Sequence, residues 1–454
     1  MAKTQSKTEI KSETKKTESS KPSVKYQSVQ EAMQQGTGNV DVRGWIHRER
    51  GSNKFKFITL RDSSNVIQCI FERKDFEKQW DEIDHMQVET SIQIKGEIRK
   101  EERAPTGYEI HVTEYEVVGK SENYPISKDF SVEFLADNRH LWLRSQKMIA
   151  ILKIRSTVFS AIDEYFKGEG FYEYHSPIFQ AVQCEGGSEL FEVKYFDKKD
   201  VFLAQTWQLY AEPAIFALEK IYTIAPSFRA EKSKTSRHLT EYWHAEMEMA
   251  WSTFQDIQNH GEKLIKHIMI RVLEKNRAEL KILNRDVSKL EPTIQKPFIR
   301  MTYTEALKIL KDKCGMEVDW GKDLRTIEEE KLTALYDVPI ICTHYPKIVK
   351  AFYMIEDPSN PAVVQGCDFL APEGNGEVIG GSQREHDIEK IKERLKEQGE
   401  NLANYEFYLD TRRYGSVPHG GFGMGTERII KWICGLDSIK DAIPFPRTIE
   451  RYKP

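Results

Sequence analysis

Three stretches of this chain concentrate side chains that can handle phosphate, amine and metal. The first is APSFRAEKS with the following RHLTEYWHAEMEMAW, which carries Arg229, Glu231, Arg237, His238, Glu241, Glu246 and Glu248. In extended backbone alternate residues share a face, so Arg229 points with Glu231, and Tyr242 with His244, Glu246 and Glu248. Arginine grips phosphate through paired hydrogen bonds, and glutamate accepts from an exocyclic amine. Two such strands joined by a basic loop make a sheet floor with charges of both signs; a salt-bridged sheet would use the same residues. The second stretch is VVQGCDFLAPEGNGEVIGGSQREHD. Asp368 and Glu377 flank its Gly-rich turn, and two carboxylates meeting across a hairpin suit Mg2+ when phosphates complete the coordination. Arg384, a few residues on past a GG pair, would emerge beside Glu377. The third is YGSVPHGGFGMGTERIIKWICGL, a Gly-rich strand running into a helix with Glu427 and Arg428 in its first turn. An arginine at a helix N-terminus is unfavourable unless an anion sits there. Gly420, Gly421, Gly423 and Gly425 let a flat ligand approach the backbone, although tight helix packing would also ask for them. There is no GxxxxGK[ST] loop, and GGFGMG lacks the GxGxxG spacing, so any nucleotide is held another way.

Such residues need strands and helices to hold them. KMIAILKIRSTVFSAIDEYFK places Ile151, Ile154, Val158, Ile162 and Tyr165 on one helical face, and Gly168 and Gly170 stop it. FYEYHSPIF reads as the next strand, with Pro177 near its end. Residues 257–285 and 382–400 read as charged amphipathic helices. The sum is one large α+β domain over residues 136–454, behind a linker over 121–135. Upstream, GNVDVRGWI, KFKFITLRD, NVIQCIF, TSIQIKGEI and YEIHVTEYEVV alternate apolar and polar residues, and FEKQWDEI has room for a helix between the third and fourth. Five strands with a helix after the third suggest an OB-type Greek-key barrel within residues 26–120. Such barrels often bind single-stranded nucleic acid; a purely structural barrel has the same pattern. Residues 1–25 hold almost only Lys, Ser, Thr and Glu and cannot bury a core. They read as a disordered tail or as a basic arm on RNA phosphates.

Composition narrows the class. Of 454 residues, 39% are hydrophobic and 30% charged, which excludes a mostly disordered or collagen-like chain. The net charge of −4, from 67 Lys+Arg against 71 Asp+Glu, announces no nucleic-acid partner, though a local basic face is compatible with it. No apolar run approaches the roughly 18 residues of a membrane span, and the N-terminus lacks the apolar core of a signal peptide. Cys69, Cys184, Cys314, Cys342, Cys367 and Cys434 form no CxxC pair. That argues against a disulfide scaffold or zinc ribbon and fits a reducing cytoplasm.

The three stretches make sense together. FRAE…RHLTEY…E, GEVIGGSQRE and FGMGTER resemble the motifs of class II aminoacyl-tRNA synthetases, and the OB barrel points to the aspartyl/asparaginyl/lysyl subgroup. CEGGSELF, QTWQLYAE, KAFYM, YGSVPHGGFGMGTER and the terminal PFPR…P are most similar to the asparaginyl-tRNA synthetases of archaeal/eukaryotic type, over residues 38–454. The resemblance implies an antiparallel sheet flanked by helices, with an OB anticodon domain in front. It implies a cytoplasmic ligase that uses ATP and Mg2+ to form asparaginyl-adenylate from L-asparagine and then charges tRNA(Asn). By residue matching, Arg229 would hold the α-phosphate, Glu231 the adenine amine, and Arg237 and His238 the outer phosphates. Arg428 would stack on adenine or clamp the γ-phosphate, and Asp368 and Glu377 would ligate Mg2+. Aspartyl relatives carry a metal-assisting Ser three residues beyond that Glu; here the position is Gly380. Glu185, Thr206 and Gln208 match positions that hold the α-amino group and side-chain end of the amino acid. The helix 147–166 and the strand ending at Pro177 match a dimer-forming motif, so a homodimer is implied. Phe57 and Gln68 match the pair that stacks on and reads the central anticodon uridine.

Asparagine and aspartate are nearly isosteric, so charge must separate them. Aspartyl relatives place a Lys where QTWQLYAE has Ala211, and an Asp where this chain has Glu246. The longer carboxylate can accept from the amide nitrogen while Arg384 donates to the amide oxygen. It would repel an aspartate side chain by roughly 4 kcal/mol at about 4 Å and an effective dielectric near ~20, a preference of about a thousandfold. Three rivals are weaker. Ala211 and Glu246 argue against an aspartyl enzyme. A tRNA-independent asparagine synthetase of this family lacks the barrel, and the presence of Arg229, Glu231, Glu377 and Arg428 argues against a non-catalytic RNA-binding or regulatory relative.

Overall fold

The five alternating strands close into a barrel in the order β1-β2-β3-β5-β4, formed by Gly38–Gly51, Phe55–Arg61, Val66–Glu72, Ser91–Lys100 and Tyr108–Gly119. All pairings are antiparallel except the short parallel contact of β3 with β5. Ile58 and Leu60 of β2 point inward with Val40, Val42, Cys69, Ile92, Ile94 and Ile110, while Phe55, Phe57 and Thr59 stay on the outer face. FEKQWDEI is helical only over Trp80–Asp84, whose Trp80 and Ile83 are buried in the same core. The structure, a computed structural model, describes residues 26–128, 130–184, 190–232 and 237–454. The tail 1–25 and Glu185 lie outside the described residues.

The chain divides into two compact units, one ending at residue 129 and the other beginning at 130. The second unit is built on an eight-stranded sheet. Its strands in chain order are β6 (Tyr172–Glu173), β7 (Lys220–Phe228), β8 (Glu241–Ala250), β9 (Ile299–Thr302), β10 (Ile340–Thr343), β11 (Gly366–Ala371), β12 (Gly376–Gln383) and β13 (His419–Gly425). Their spatial order is β9-β10-β11-β12-β13-β8-β7-β6. The six central strands are antiparallel; each edge strand joins in parallel, so the sheet is mixed rather than purely antiparallel.

One face of this sheet is covered by helices. The helix Gln146–Gly168 starts at Ser145, whose side chain accepts from Met148 N, and buries Ile151, Ile154, Val158, Ile162 and Tyr165. The helix Phe254–Lys275 opens with a Thr253/Asp256 capping box. Both pack with Ala245, Met247, Phe369, Ile379, Phe422 and Met424 into the main core. The opposite face is left for polar residues.

Several boundaries differ from the sequence reading. FYEYHSPIF forms only two short strands, Tyr172–Glu173 and Phe179–Gln180, because Pro177 between them has no N–H to donate. The predicted helix 257–285 breaks at Asn276. The predicted helix 382–400 spans only Ile388–Glu397: residues up to Gln383 belong to β12, and Asp387 caps the new helix by accepting from Glu389 N and Lys390 N. Strand β7 ends at Phe228, so Arg229 and Glu231 lie just past it instead of on its face.

At Gly261 the helix Phe254–Lys275 approaches the sheet closely. A Cβ there would stand 2.4 Å from Cζ of the fully buried Phe369 ring. Helix propensity favours Gly261→Ala by up to about 1 kcal/mol, but overpacking typically costs about 1–3 kcal/mol. The variant is expected to lower the urea unfolding midpoint; a higher midpoint would show that the ring can yield.

Candidate active site

The open face of the sheet carries an ordered row. Asp368 stands opposite Gly380, Gly380 opposite Gly423, and Gly423 opposite Glu246, across strands β11, β12, β13 and β8. The two glycines leave a trough between the two carboxylates. A Cβ at Gly423 would come within 2.7 Å of His244 Nε2, and one at Gly380 within 3.0 Å of Glu377 Oε1 and 3.7 Å of Asp368 Oδ1. The trough opens into a cavity of about 670 Å³ whose walls include Thr206, Gln208, Arg229, Glu246, Lys350, Asp368, Glu377 and Arg384.

At one end the predicted amino-acid residues interlock. Glu246 accepts from the Thr206 hydroxyl and from Trp207 N at 2.9 Å, and Gln208 N donates to Thr206 Oγ1 at 3.2 Å. Arg384 is almost fully buried and is aimed by Glu248: its Nε donates to the two Glu248 oxygens at 3.2 and 3.3 Å, and Nη2 adds a further bond. Its Nη1 donates to Ser382 Oγ at 2.7 Å, and its guanidinium lies 4.9 Å from the Tyr353 ring centre. Burial pushes the Glu248 carboxyl up to about 7, against the pull of Arg384.

At the other end are two smaller chambers of about 120 and 280 Å³. Arg237, His238, Glu377 and Arg428 line both; Arg229 and Glu231 line the smaller. Arg428 Nη1 donates to the Glu377 carbonyl and to Oε2, both at 3.0 Å, so the anion demanded by an arginine at a helix start is supplied by Glu377. Arg237 donates to Glu329 Oε2 at 3.2 Å and to Gly374 O at 2.9 Å. His238 Nε2 is 3.5 Å from Glu231 Oε2, and the Arg229 guanidinium sits 5.6 Å from the Tyr242 ring centre. Burial alone would raise the Glu377 carboxyl, but Arg428 and Lys350 hold it down at about 2. Burial pushes Asp368 up to about 6 although Lys350 Nζ donates to its Oδ2 at 2.8 Å.

The structure therefore brings together Arg229, Glu231, Arg237, His238, Thr206, Gln208, Glu246, Asp368, Glu377, Arg384 and Arg428 around connected chambers. It adds partners that sequence reasoning did not assign. Glu248 shares a strand face with Glu246, but its pairing with Arg384 depends on sheet order. Lys350 and Tyr353 sit in KAFYM, a segment that carries the resemblance but whose residue types alone point to no role in the site. Glu329 falls in the charged run IEEEK, which by itself reads as a solvated helix face.

In the barrel, Phe57 and Gln68 lie on neighbouring strands and Arg50 joins them. Its guanidinium is 4.8 Å from the Phe57 ring centre, and its Nη2 donates to Gln68 Oε1 at 3.2 Å. Gln68 Nε2 donates in turn to Glu109 Oε2 at 3.0 Å.

Both units match known protein families. Residues 131–449 match the family described as tRNA synthetases class II (D, K and N), and residues 40–118 match the OB-fold nucleic acid binding domain. The asparagine–tRNA ligase of Thermoplasma acidophilum is 46% identical over 416 residues, covering 91% of this chain and 96% of that one. The crystal structure of asparaginyl-tRNA synthetase from Pyrococcus horikoshii complexed with asparaginyl-adenylate superposes with a TM-score of 0.91 at 42% identity, covering 95% of this chain and all of that one. The Entamoeba histolytica asparaginyl-tRNA synthetase, also in complex with asparaginyl-adenylate, gives 0.83 at 31% identity, covering 92% and 97%. The chain belongs to the class II aminoacyl-tRNA synthetases and, within them, to the asparagine–tRNA ligases. Among the described residues no helix is long and apolar enough to cross a membrane.

The Arg384–Glu248 pair gives a stability test. Arg384→Met leaves a buried carboxylate without its cation and is expected to destabilise by about 3–5 kcal/mol; Arg384→Met/Glu248→Gln should regain most of that. Burial already raises the Glu248 carboxyl above its unfolded value. A raised carboxyl supports the fold while protonated and loses that support as pH rises through its folded value. The single-variant deficit should therefore be larger at about pH 8 than at about pH 5.5. Urea denaturation at both pH values decides; equal deficits for single and double variants would refute the pairing.

Proposed function

We propose that the two ends of the cavity hold L-asparagine and ATP, that the chain joins them into asparaginyl-adenylate, and that it then charges tRNA(Asn). The carboxylate of asparagine attacks the α-phosphorus in line and pyrophosphate leaves; a terminal ribose hydroxyl of the tRNA then attacks the acyl carbon and AMP leaves. Neither step needs an enzymic nucleophile. Positioning and neutralisation of developing charge are enough, and the site is rich in fixed cations.

Arg229 sits where the two ends meet and is assigned to the α-phosphate. Arg428 and Glu231 are assigned to the adenine side, with Arg237 and His238 on the outer phosphates. The carboxylate oxygens of Asp368 and Glu377 both face Gly380. Two hard oxygen donors suit Mg2+ if phosphate and water supply the rest; among the described residues no larger cluster of metal-binding side chains occurs. Bound there, the ion would screen phosphate charge and orient the leaving group.

The observation that carries the choice of asparagine is Glu246 facing the same cavity as Arg384, with no cation at Ala211, which is packed in an apolar cluster with Trp207 and Ile215. Thr206 and Trp207 N fix the carboxylate so that it can accept from a side-chain amide. In the barrel, Phe57 and Gln68 are assigned to the central anticodon base, with Arg50 as an added contact. Exposed Tyr172, Ile178 and Phe179 around Pro177 support assembly as a homodimer. Six free thiols fit a cytoplasmic protein.

ATP–pyrophosphate exchange with asparagine against aspartate tests the activity directly. Glu246→Gln is expected to cut the asparagine-to-aspartate ratio of kcat/KM by about tenfold or more; an unchanged ratio would remove Glu246 from the assignment. Phe57→Ala should raise KM for tRNA by roughly 5- to 100-fold and leave tRNA-free exchange as it was. A change in exchange would show that Phe57 acts on more than the anticodon.

A further inference from the structure

Behind the wall of the amino-acid end lies a buried polar group that the proposed chemistry leaves unused. Glu212 and Arg412 are both fully buried, and Arg412 Nη2 donates to Glu212 Oε2 at 2.5 Å. The same nitrogen donates to the Tyr408 hydroxyl at 2.8 Å, and that hydroxyl donates to Glu212 Oε1 at 3.1 Å. His419 Nε2 stands 3.0 Å from Glu212 Oε2 and 3.2 Å from Arg412 Nη2. Burial alone would raise the Glu212 carboxyl, but Arg412, His419 and Arg384 drive it well below the usual carboxylate range.

The remaining hydrogen bond reaches back to the cavity. Gln208 Nε2 donates to Glu212 Oε1 at 2.9 Å. An ionised carboxylate only accepts, so it dictates which end of the Gln208 amide turns inward. The NH2 group faces Glu212, and the carbonyl oxygen accepts from the buried Cys184 thiol at 3.9 Å; Gln208 lines the cavity, and a carbonyl oxygen has a second lone pair to offer. An ammonium group can only donate. A flipped amide would meet it with a second donor.

We propose that Glu212 is a positioning residue for substrate recognition: it locks the Gln208 amide with its oxygen presented to the α-ammonium of the amino acid. This rests on reading Gln208 as an amino-acid-binding residue. The ion pair with Arg412 keeps the lock in one orientation, because a neutral residue at 212 could accept from or donate to either end of the amide.

The test uses the full-length enzyme in ATP–pyrophosphate exchange. Glu212→Gln is expected to raise KM for asparagine by about tenfold or more while KM for ATP stays within about twofold. Because that variant orphans Arg412 and can fail to fold, Glu212→Gln/Arg412→Met, which removes both charges, carries the same expectation. Gln208→Ala should match the loss, and Gln208→Ala/Glu212→Gln should be no worse than Gln208→Ala. An asparagine KM unchanged in both Glu212 variants, an equal rise in KM for ATP, or additive losses would overturn the positioning role. Gln208→Ala without effect on asparagine KM would instead show that the reading of Gln208 has failed.

Discussion

Everything in the active unit depends on an absence of side chains between two rows of charge. Gly380 and Gly423 sit side by side on adjacent strands, with Asp368 on one flank and Glu246 on the other. Any Cβ at Gly423 would run into His244, and one at Gly380 would crowd Glu377. Residues of opposite parity, Phe422, Met424 and Ile379, fill the core beneath. The period of two along a strand thus separates a dry face from a reactive one.

The floor is not simply cationic. Arg428 is held by Glu377, Arg237 by Glu329, Arg384 by Glu248 and Lys350 by Asp368. The Arg428–Glu377 pair is partly exposed and the other three are largely buried; neither kind adds much to stability, because solvent screens the first and desolvation consumes most of the attraction in the others. Their value lies in geometry: each guanidinium is oriented before a ligand arrives, so little reorganisation is left for the reaction. An anionic ligand such as a nucleotide polyphosphate would share or displace these carboxylates, and a divalent cation would offset the crowding of negative charge around Asp368 and Glu377. The barrel solves a different problem. Its outer face carries an aromatic ring and an amide joined by Arg50, and a partly exposed ring of this kind is able to stack on a base.

Much of this was legible in the residues themselves. Strand alternation placed Tyr242, His244, Glu246 and Glu248 on one face, and they lie together on β8. The five barrel strands and the Gly-rich strand leading into the helix of Arg428 appear where their patterns put them. The differences have both local and long-range causes. Segments 382–400 and FYEYHSPIF were read from local pattern alone, but residues 382 and 383 are claimed by pairing with β13, and the region around Pro177 is left with few pairing partners. Local propensity yields where long-range pairing has more hydrogen bonds to offer, as at residues 382 and 383, and a proline that cannot donate interrupts a strand, as at Pro177.

Residue types and spacing determined the chemistry available: which side chains can bind phosphate, which can accept from an amide, and which helix start calls for an anion. Tertiary structure decided who partners whom. Glu248 with Arg384, Glu329 with Arg237, and Glu212 with Arg412 are separated in sequence by 136, 92 and 200 positions. No periodicity spans such distances; only strand order and the packing of distant segments bring these atoms within hydrogen-bonding reach.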